Sequence, residues 1–239
     1  MIYAVGIGPG GRETMTYEAM KAIEQSDVIV GYKTYIDLVE DLVKDKKVVS
    51  NGMKQETDRV KKAVEISKTG KTVSVISSGD AGVYGMAGLV LELSEDEEVR
   101  IISGVTASTA AASVLGAPLM HDFCHISLSD LLTPLSLIYK RIELASEGDF
   151  VICIYNPRSK GRPDYLKDAF GIMKKYKAGS TPVGIVKNAC RENQEVRICT
   201  MDTIDYESVD MLSIVIVGNS STYVKNNRII TKRGYEIKY

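Results

Sequence analysis

The segment TVSVISSGDAGVYGMAGLVLEL, residues 72–93, contains a strand, a loop and a helix in direct succession. Residues 72–77 are rich in β-branched side chains and predict a buried strand, and residues 86–93 predict a helix. The loop between them, SSGDAGVYG at residues 77–85, consists mostly of small residues. A small-residue loop between a strand and a helix is typical of the ligand-binding edge of an α/β sheet.

The same alternation of strand and helix fills the first half of the chain. Strands are predicted at residues 2–7, 27–30, 48–49, 72–77 and 99–102, and helices at residues 14–25, 35–43, 57–68, 86–93 and 106–114. This order predicts an α/β domain with a mostly parallel sheet that is covered on both faces. Gly116, Ala117 and Pro118 interrupt the pattern. We therefore place a domain boundary there, with one domain at residues 1–117 and a second at 118–239.

The second half has fewer helices between its strands. Strands are predicted at residues 123–128, 150–155, 182–186, 195–200 and 212–217, and helices at residues 135–146 and 165–176. Because little helical sequence separates the last three strands, we expect a second α/β domain with a mixed, partly antiparallel sheet. Residues 228–230 and 235–238 suggest a closing hairpin around Gly234.

Composition excludes several classes of protein. The chain has 239 residues, with 30 basic and 31 acidic side chains and a formal net charge of −1, so we expect neither a nucleic-acid nor an anionic-membrane partner. No apolar run approaches the roughly 20 residues that span a bilayer. The sequence starts directly with a strand pattern, and we expect a cytoplasmic protein. Since the four cysteines include no C-x-x-C pair and only two histidines are present, no protein-bound catalytic metal is predicted.

Three glycine-rich loops are predicted at the carboxyl ends of strands, at residues 8–11, 77–85 and 103–107. Gly6 at the end of the first strand, together with Gly8 and Gly11 of the first loop, fits the dinucleotide pattern G-x-G-x-x-G. A dinucleotide site also needs an acidic residue after the second strand, where this chain has Tyr32 and Lys33. A dinucleotide-dependent oxidoreductase is therefore a disfavoured alternative. Each loop taken alone could also be no more than a tight turn.

The three loop sequences are shared with a known family. VGIGPG (5–10), SGD (78–80) and SGVTA (103–107) resemble the motifs of the tetrapyrrole methylases. In the second half, DFCHISLSDLLTP (122–134), YNPRSKGR (155–162) and VIVGNSST (215–222) resemble one branch of that family. That branch methylates carbon 17 of precorrin-3B or of cobalt-factor III and contracts the ring during cobalamin biosynthesis.

The resemblance implies a two-domain enzyme with an active-site cleft between its domains. It implies S-adenosylmethionine as methyl donor, S-adenosylhomocysteine as product, a tetrapyrrole substrate and a homodimer. Methylation of another tetrapyrrole position or of a protein stays an alternative on the same scaffold. A non-catalytic nucleotide sensor is an alternative of another class.

The resemblance also assigns residues to the methyl donor. These positions are Pro9, Gly79, Asp80, Val83, Thr106 and Ala107 in the first domain, and Tyr155, Asn156 and Ala189 in the second. Asp80 would accept hydrogen bonds from the donor or from loop amides. The alternative for Asp80 is a cap on the helix that follows.

A tetrapyrrole with many carboxylate side chains needs cations in its binding site. Arg158, Lys160 and Arg162 lie in one predicted loop, and Lys187 and Arg191 lie near the end of another strand. Guanidinium groups bind carboxylates with two parallel hydrogen bonds. We therefore predict substrate binding by Arg158, Lys160, Arg162 and Arg191, with a solvated basic loop as the alternative.

Ring contraction requires proton transfers, and so acid–base groups should line the site. Our candidates are Asp122, Ser127 and Asp130, and beside them His125, Ser129 and Tyr155. We place His125 and Ser127 on opposite faces of their strand, so that at most one would face the substrate. Either His121 or His125 could approach a cobalt ion in the substrate. Asp130 could instead cap a helix before Leu131.

Overall fold

The computed structural model describes residues 1–52 and 55–235. Its residues group into two compact units, Met1–Ala107 and Ser108–Tyr239. The break in the sequence pattern at residues 116–118 falls inside the second unit. None of the helices formed by the described residues has the length and apolar character needed to cross a membrane.

The first unit is built on a five-stranded sheet in which every strand pair is parallel. Its strands are β1 (Ile2–Gly6), β2 (Val28–Tyr32), β3 (Lys47–Asn51), β4 (Val73–Ser77) and β5 (Val99–Ile102), in the order β3-β2-β4-β1-β5. Its helices are α1 (Tyr17–Gln25), α2 (Lys33–Asp37), α3 (Glu40–Val43), α4 (Glu56–Ser67) and α5 (Ala87–Leu93). The predicted parallel sheet is confirmed.

Both faces of this sheet are buried, which explains the continuous apolar runs of its strands. Ile2 and Ala4 of β1 pack in one core with α4 and α5. Tyr3 and Val5 point the other way and pack in a second core with α1 and α3. Helix α1 begins later than predicted because Thr16 caps it, its hydroxyl accepting a hydrogen bond from the Ala19 N–H at 3.1 Å.

The second unit contains a five-stranded and a three-stranded sheet. The larger has the order β10-β9-β11-β8-β7, with β7 (Phe123–Ser127), β8 (Val151–Tyr155), β9 (Pro182–Lys187), β10 (Glu195–Thr200) and β11 (Ser213–Val217). The smaller joins β6 (Gly116–Ala117), β12 (Thr222–Lys225) and β13 (Arg228–Thr231). The helices are α6 (Ala107–Leu115, which begins at the last residue of the first unit), α7 (Leu135–Glu147) and α8 (Tyr165–Met173).

The larger sheet is mixed, as predicted. Strands β8 and β9 are both antiparallel to β11, and β7 is parallel to β8. Strands β7, β8 and β9 therefore run in the same direction and end at one edge of the sheet. Helices α7 and α8 cover one face, where they pack against Ile126, Leu128 and Ile152. Helix α6 lies on the other face, where a Cβ added to Gly184 would strike the side chain of Leu115.

Two strands of the smaller sheet were not predicted. Strand β13 confirms the predicted strand at 228–230, but it pairs with β12 through a turn at Asn226 and Asn227. Both asparagines have positive φ (49° and 55°), the backbone conformation of a type I′ hairpin turn. The predicted strand at 235–238 lies outside the described residues, except for Tyr235.

Candidate functional site

The backbones of the three glycine-rich loops touch at the carboxyl edge of the first sheet. A Cβ added to Gly6 would lie 2.7 Å from the Gly79 oxygen and 2.8 Å from the Gly104 nitrogen. A Cβ added to Gly104 would strike the Gly79 oxygen and lie 2.6 Å from the Gly6 oxygen. Because real Cβ atoms essentially never approach so closely, these positions need glycine. The three loops therefore form one continuous surface of backbone groups.

Two of these loops are also joined by reciprocal hydrogen bonds. The Gly8 N–H donates to the Gly79 oxygen at 3.0 Å, and the Gly79 N–H donates to the Gly8 oxygen at 2.7 Å. Both glycines have positive φ, 76° and 71°, which other residues adopt only with strain. Pro9 directly follows Gly8 and is buried.

The carboxylate of Asp80 ties the second loop to the third. Its Oδ1 atom accepts from the N–H groups of Gly82 (2.8 Å) and Val83 (3.1 Å), and its Oδ2 atom accepts from Gly104 (2.9 Å). The alternative that Asp80 caps the next helix is wrong, because α5 begins at Ala87 with Met86 as its N-cap residue. Thr106 and Ala107 follow this anchored loop, close to Gly79.

The end of β2 carries no acidic residue. The strand ends at Tyr32, and Lys33 opens α2. Asp27 precedes β2 and accepts a hydrogen bond from the Thr72 N–H at 2.8 Å. The acid that holds the ribose in a dinucleotide site is therefore missing from its usual position.

A second group of candidate residues lies where β7, β8 and β9 end. The Ser127 hydroxyl accepts from the Asn156 side chain at 2.9 Å and from the Ser129 N–H at 3.2 Å. Asn156 follows β8 with φ 50°, and Asn188 follows β9 with φ 51°. Ala189 comes next and is buried. The structure thus brings Ser127 together with Asn156 at this edge.

Arg162 connects several groups at the same edge of the sheet. Its guanidinium donates to the Leu128 oxygen at 3.1 Å and to the Ser159 hydroxyl at 3.1 Å, and it lies 3.8 Å from Asp130 Oδ1. Only 13% of its side chain is exposed. Asp130 also accepts a hydrogen bond from the Tyr165 hydroxyl at 2.8 Å. A cap role for Asp130 is wrong, because the next helix, α7, has Pro134 as its N-cap residue.

The cations that were predicted to bind the substrate differ in whether they already form ion pairs within the second unit. Arg158 forms a 2.5 Å ion pair with Glu207, and Lys187 forms a 3.0 Å ion pair with Asp210. Arg191 is half-buried in the turn after β9, where its N–H donates to the Asn188 oxygen. Lys160 is exposed and forms no ion pair with the described residues. Lys160 is therefore the cation of its loop that is most open to a ligand.

The structure also reveals a polar cluster of Ser108, His125 and Tyr155. The Ser108 hydroxyl lies 2.8 Å from His125 Nε2, and the Ser108 N–H donates to the Tyr155 hydroxyl at 3.0 Å. The two rings meet edge to face, with centroids 5.4 Å apart. Burial lowers the pKa of His125 below its ordinary value of 6.5. Ser108 is fully buried near the start of α6, and sequence reasoning missed it.

The prediction that His125 and Ser127 point to opposite faces is wrong. Residues two apart in a strand share a face. Cys124, Ile126 and Leu128 all pack on the side of α7 and α8, so His125 and Ser127 both lie on the other side.

Asp122 stands apart from the other two acid–base candidates. It precedes β7, whereas Ser127 ends that strand, so the two residues lie at opposite edges of the sheet. The Asp122 side chain is 78% exposed, and its Oδ2 atom lies 3.8 Å from the Nδ1 atom of the neighbouring His121. The structure brings Ser127 and Asp130 to one edge and leaves Asp122 at the other.

Comparison with known proteins matches this architecture to one family. The tetrapyrrole (corrin/porphyrin) methylases match residues 1–205, most of the chain and all three glycine-rich loops. The chain belongs to this family.

Individual relatives indicate which branch of the family this chain resembles. A protein of Salmonella typhimurium named probable cobalt-factor III C(17)-methyltransferase is 54% identical, over 99% of this chain and 100% of the relative. Precorrin-3B C(17)-methyltransferase of Sinorhizobium sp is 37% identical, over 93% of this chain and 90% of the relative. The crystal structure of the methyltransferase CobJ superposes with a TM-score of 0.91 at 33% identity, covering 97% of this chain and 99% of that one.

Proposed function

We propose that this chain is an S-adenosylmethionine-dependent methyltransferase that methylates carbon 17 of cobalt-factor III or of its cobalt-free counterpart, precorrin-3B. Ring contraction accompanies the transfer, as a step of cobalamin biosynthesis. The observation that carries the proposal is the 54% identity, over almost the whole chain, to a relative named for the cobalt-containing substrate. The 37% identity to the relative named for precorrin-3B ranks the cobalt-free substrate second.

The joined glycine loops fit an adenosyl donor. Backbone N–H and C=O groups come close to a ligand only where side chains are small. Gly6 and Gly104 leave no room for a side chain among the three loops, and Gly79 has the positive φ that favours glycine. In the first unit we propose Pro9, Gly79, Asp80, Val83, Thr106 and Ala107 for the donor. In the second unit we propose Tyr155, Asn156 and Ala189. Asp80 acts chiefly by holding the amides of Gly82, Val83 and Gly104 in place.

Methyl transfer requires the protein mainly to position the two reactants and to exclude water. The donor supplies a methyl group already activated by its sulfonium charge. The residues of this chain must hold that methyl about 3–3.5 Å from the acceptor carbon and in line with it. They must also exclude water from the reacting groups. No nucleophilic side chain is required for the transfer.

The cations that follow β8 and β9 are suited to bind the carboxylates of the acceptor. We propose that Lys160, whose side chain is exposed, contacts these carboxylates directly. Arg158, Arg162 and Arg191 remain candidates. The guanidinium group of Arg158 already binds Glu207, and that of Arg162 binds the Leu128 oxygen. We further propose a cytoplasmic homodimer, and light scattering of the purified protein measures its mass.

The proposal is tested by incubating the protein with cobalt-factor III or precorrin-3B and isotopically labelled S-adenosylmethionine. We expect one added methyl group by mass spectrometry, a changed absorption spectrum on ring contraction, and one S-adenosylhomocysteine per turnover. Faster turnover of the cobalt-containing substrate is expected. Donor binding without S-adenosylhomocysteine release would contradict the proposal and favour a sensor.

A further inference from the structure

Ser108, His125 and Tyr155 form a cluster of which only Tyr155 is assigned to the donor. Ser108 and His125 are assigned neither to the donor nor to substrate binding. His125 lies in the middle of β7, on the face that α6 covers. Its Nε2 atom is 2.8 Å from the Ser108 hydroxyl, and its ring contacts that of Tyr155. Ser108 in turn donates its N–H to the Tyr155 hydroxyl. Each member therefore contacts the other two, which fixes the imidazole in one orientation.

The members of this cluster adjoin residues proposed for the donor. Tyr155 is itself one of them, and Ser108 directly follows Thr106 and Ala107 in the chain. In-line transfer places the acceptor carbon next to the donor's methyl group. Because His125 packs against Tyr155, it is thus placed near the part of the acceptor that reacts.

The surroundings keep the His125 imidazole neutral near pH 7. Burial lowers the pKa of His125, and the helix above it, ASTAAASVL, has no ionisable carboxylate or amine. On β8 its ring contacts that of Tyr155, and its register partner is Cys153, whose thiol pKa is raised by burial. A neutral imidazole can accept a proton and return it, which the other two members cannot do as readily at this pH.

We propose that His125 is the acid–base residue of the ring contraction and that Ser108 is its positioning residue. The inference rests on the proposed function. A proton of the acceptor passes to a ring nitrogen of His125, while the electron pair of the broken bond stays on the acceptor. The imidazolium then returns the proton to the product or to water, so that His125 ends each turnover neutral.

The test is the pH dependence of kcat with cobalt-factor III, compared among variants. For the wild type we expect a limb in which kcat falls at acid pH, with its midpoint below 6.5, the ordinary pKa of histidine. H125Q should lower kcat roughly 100-fold and lose this limb, since positioned acid–base groups contribute at least that much. S108A should keep the limb but move its midpoint. F123L is the matched control, because it changes a ring 5.7 Å from His125 without removing an ionisable group, and its limb should match that of the wild type.

Several outcomes would overturn the inference without touching the proposed function. One is an H125Q variant that turns over and keeps the wild-type acid limb. If H125Q no longer binds S-adenosylhomocysteine in calorimetry, its loss of activity could reflect misfolding, and the S108A variant becomes the test. A kcat and an acid limb in S108A that both equal those of the wild type would overturn the inference. Failure of the wild type to methylate either substrate would instead contradict the proposed function itself.

Discussion

The carboxylate of Asp80 accepts a hydrogen bond from the backbone N–H of Gly104, 24 residues further along the chain, at 2.9 Å. The other carboxylate oxygen holds two amides of its own loop, those of Gly82 and Val83. One side chain therefore fixes two of the three glycine-rich loops relative to each other. This relationship makes Asp80 a structural link inside the surface that we propose for the donor.

Replacing Asp80 by asparagine should weaken donor binding. The amide of D80N has one acceptor oxygen in place of two, so the N–H of Gly104 or those of Gly82 and Val83 lose their partner. Hydrogen bonds to charged groups contribute about 1.5–3 kcal/mol. We expect S-adenosylhomocysteine to bind roughly tenfold more weakly in calorimetry, since about 1.4 kcal/mol corresponds to a factor of ten.

The matched control for this substitution is D96N. Asp96 is an exposed acid in the turn before β5, and the same change there should leave donor affinity as in the wild type. Equal donor affinity in D80N and D96N would show that the link between the loops does not support the donor site.

Adding one methyl group at Gly104 should separate the loops. In G104A the new Cβ would strike the Gly79 oxygen and crowd that of Gly6, and backbone atoms cannot move aside as a flexible side chain can. Overpacking of this kind costs typically 1–3 kcal/mol. We expect a Tm lower by roughly 2–10 °C and much weaker binding of S-adenosylhomocysteine.

The chain offers a matched glycine for comparison. Gly88 lies in α5, and a Cβ added there meets no other atom within 4 Å. Because alanine is the better helix former by about 1 kcal/mol, G88A should raise Tm slightly and leave donor binding intact. A G104A protein as stable and as tightly binding as G88A would refute the close contact of the loops.

The sequence predicted the large sheets because their strands are strong local signals. Runs such as VSVIS at β4 and VICIY at β8 are apolar and β-branched, and helical periodicity separates most of them. The two-residue β6 is too short to show any pattern. Strand β12 follows a glycine and three polar residues, and it acquires its structure only by pairing with β13.

The chemical roles of single residues depended on contacts that sequence patterns do not contain. The sequence predicts that Arg162 binds a carboxylate of the substrate, yet its guanidinium donates to the backbone oxygen of Leu128, 34 residues earlier, and lies 3.8 Å from the chain's own Asp130. Ser108 reads as one small residue of an alanine-rich helix, and only the fold brings it to His125. The shared face of His125 and Ser127, by contrast, follows from the two-residue periodicity of a strand and could be predicted from the sequence.

Lys160 and Arg162, two of the three cations in the loop after β8, should respond differently to substitution. R162K removes the fork that binds both the Leu128 oxygen and the Ser159 hydroxyl, a loss of about 2 kcal/mol that lowers Tm by roughly 4 °C or more. K160M removes an exposed charge, so Tm should not change. The KM for cobalt-factor III should rise roughly threefold in K160M, because exposed ion pairs contribute about 0.2–1 kcal/mol. Thermal unfolding and steady-state kinetics on both variants measure these effects.

The reverse pattern would restore the sequence-based prediction for Arg162. In that case R162K would unfold at the wild-type temperature and show the larger rise in KM. The guanidinium would then contact the substrate's carboxylates, and its hydrogen bond to Leu128 would contribute little to stability.

The lowered pKa of His125 should appear in the stability of the protein at acid pH. Below pH 6.5 the unfolded chain takes up a proton at this position that the folded chain resists, because burial disfavours the charged imidazole. The free energy of unfolding should therefore fall as the pH is lowered through 6.5, until the folded protein is protonated as well. H125Q cannot take up this proton, so its stability should fall less steeply across the same window. Denaturant unfolding at intervals between pH 8 and pH 5 measures the two slopes, with H121Q as the matched change at a histidine whose side chain is 43% exposed. Equal slopes for H125Q and the wild type would mean that the folded protein accommodates a charged imidazole beside Ser108 at no cost.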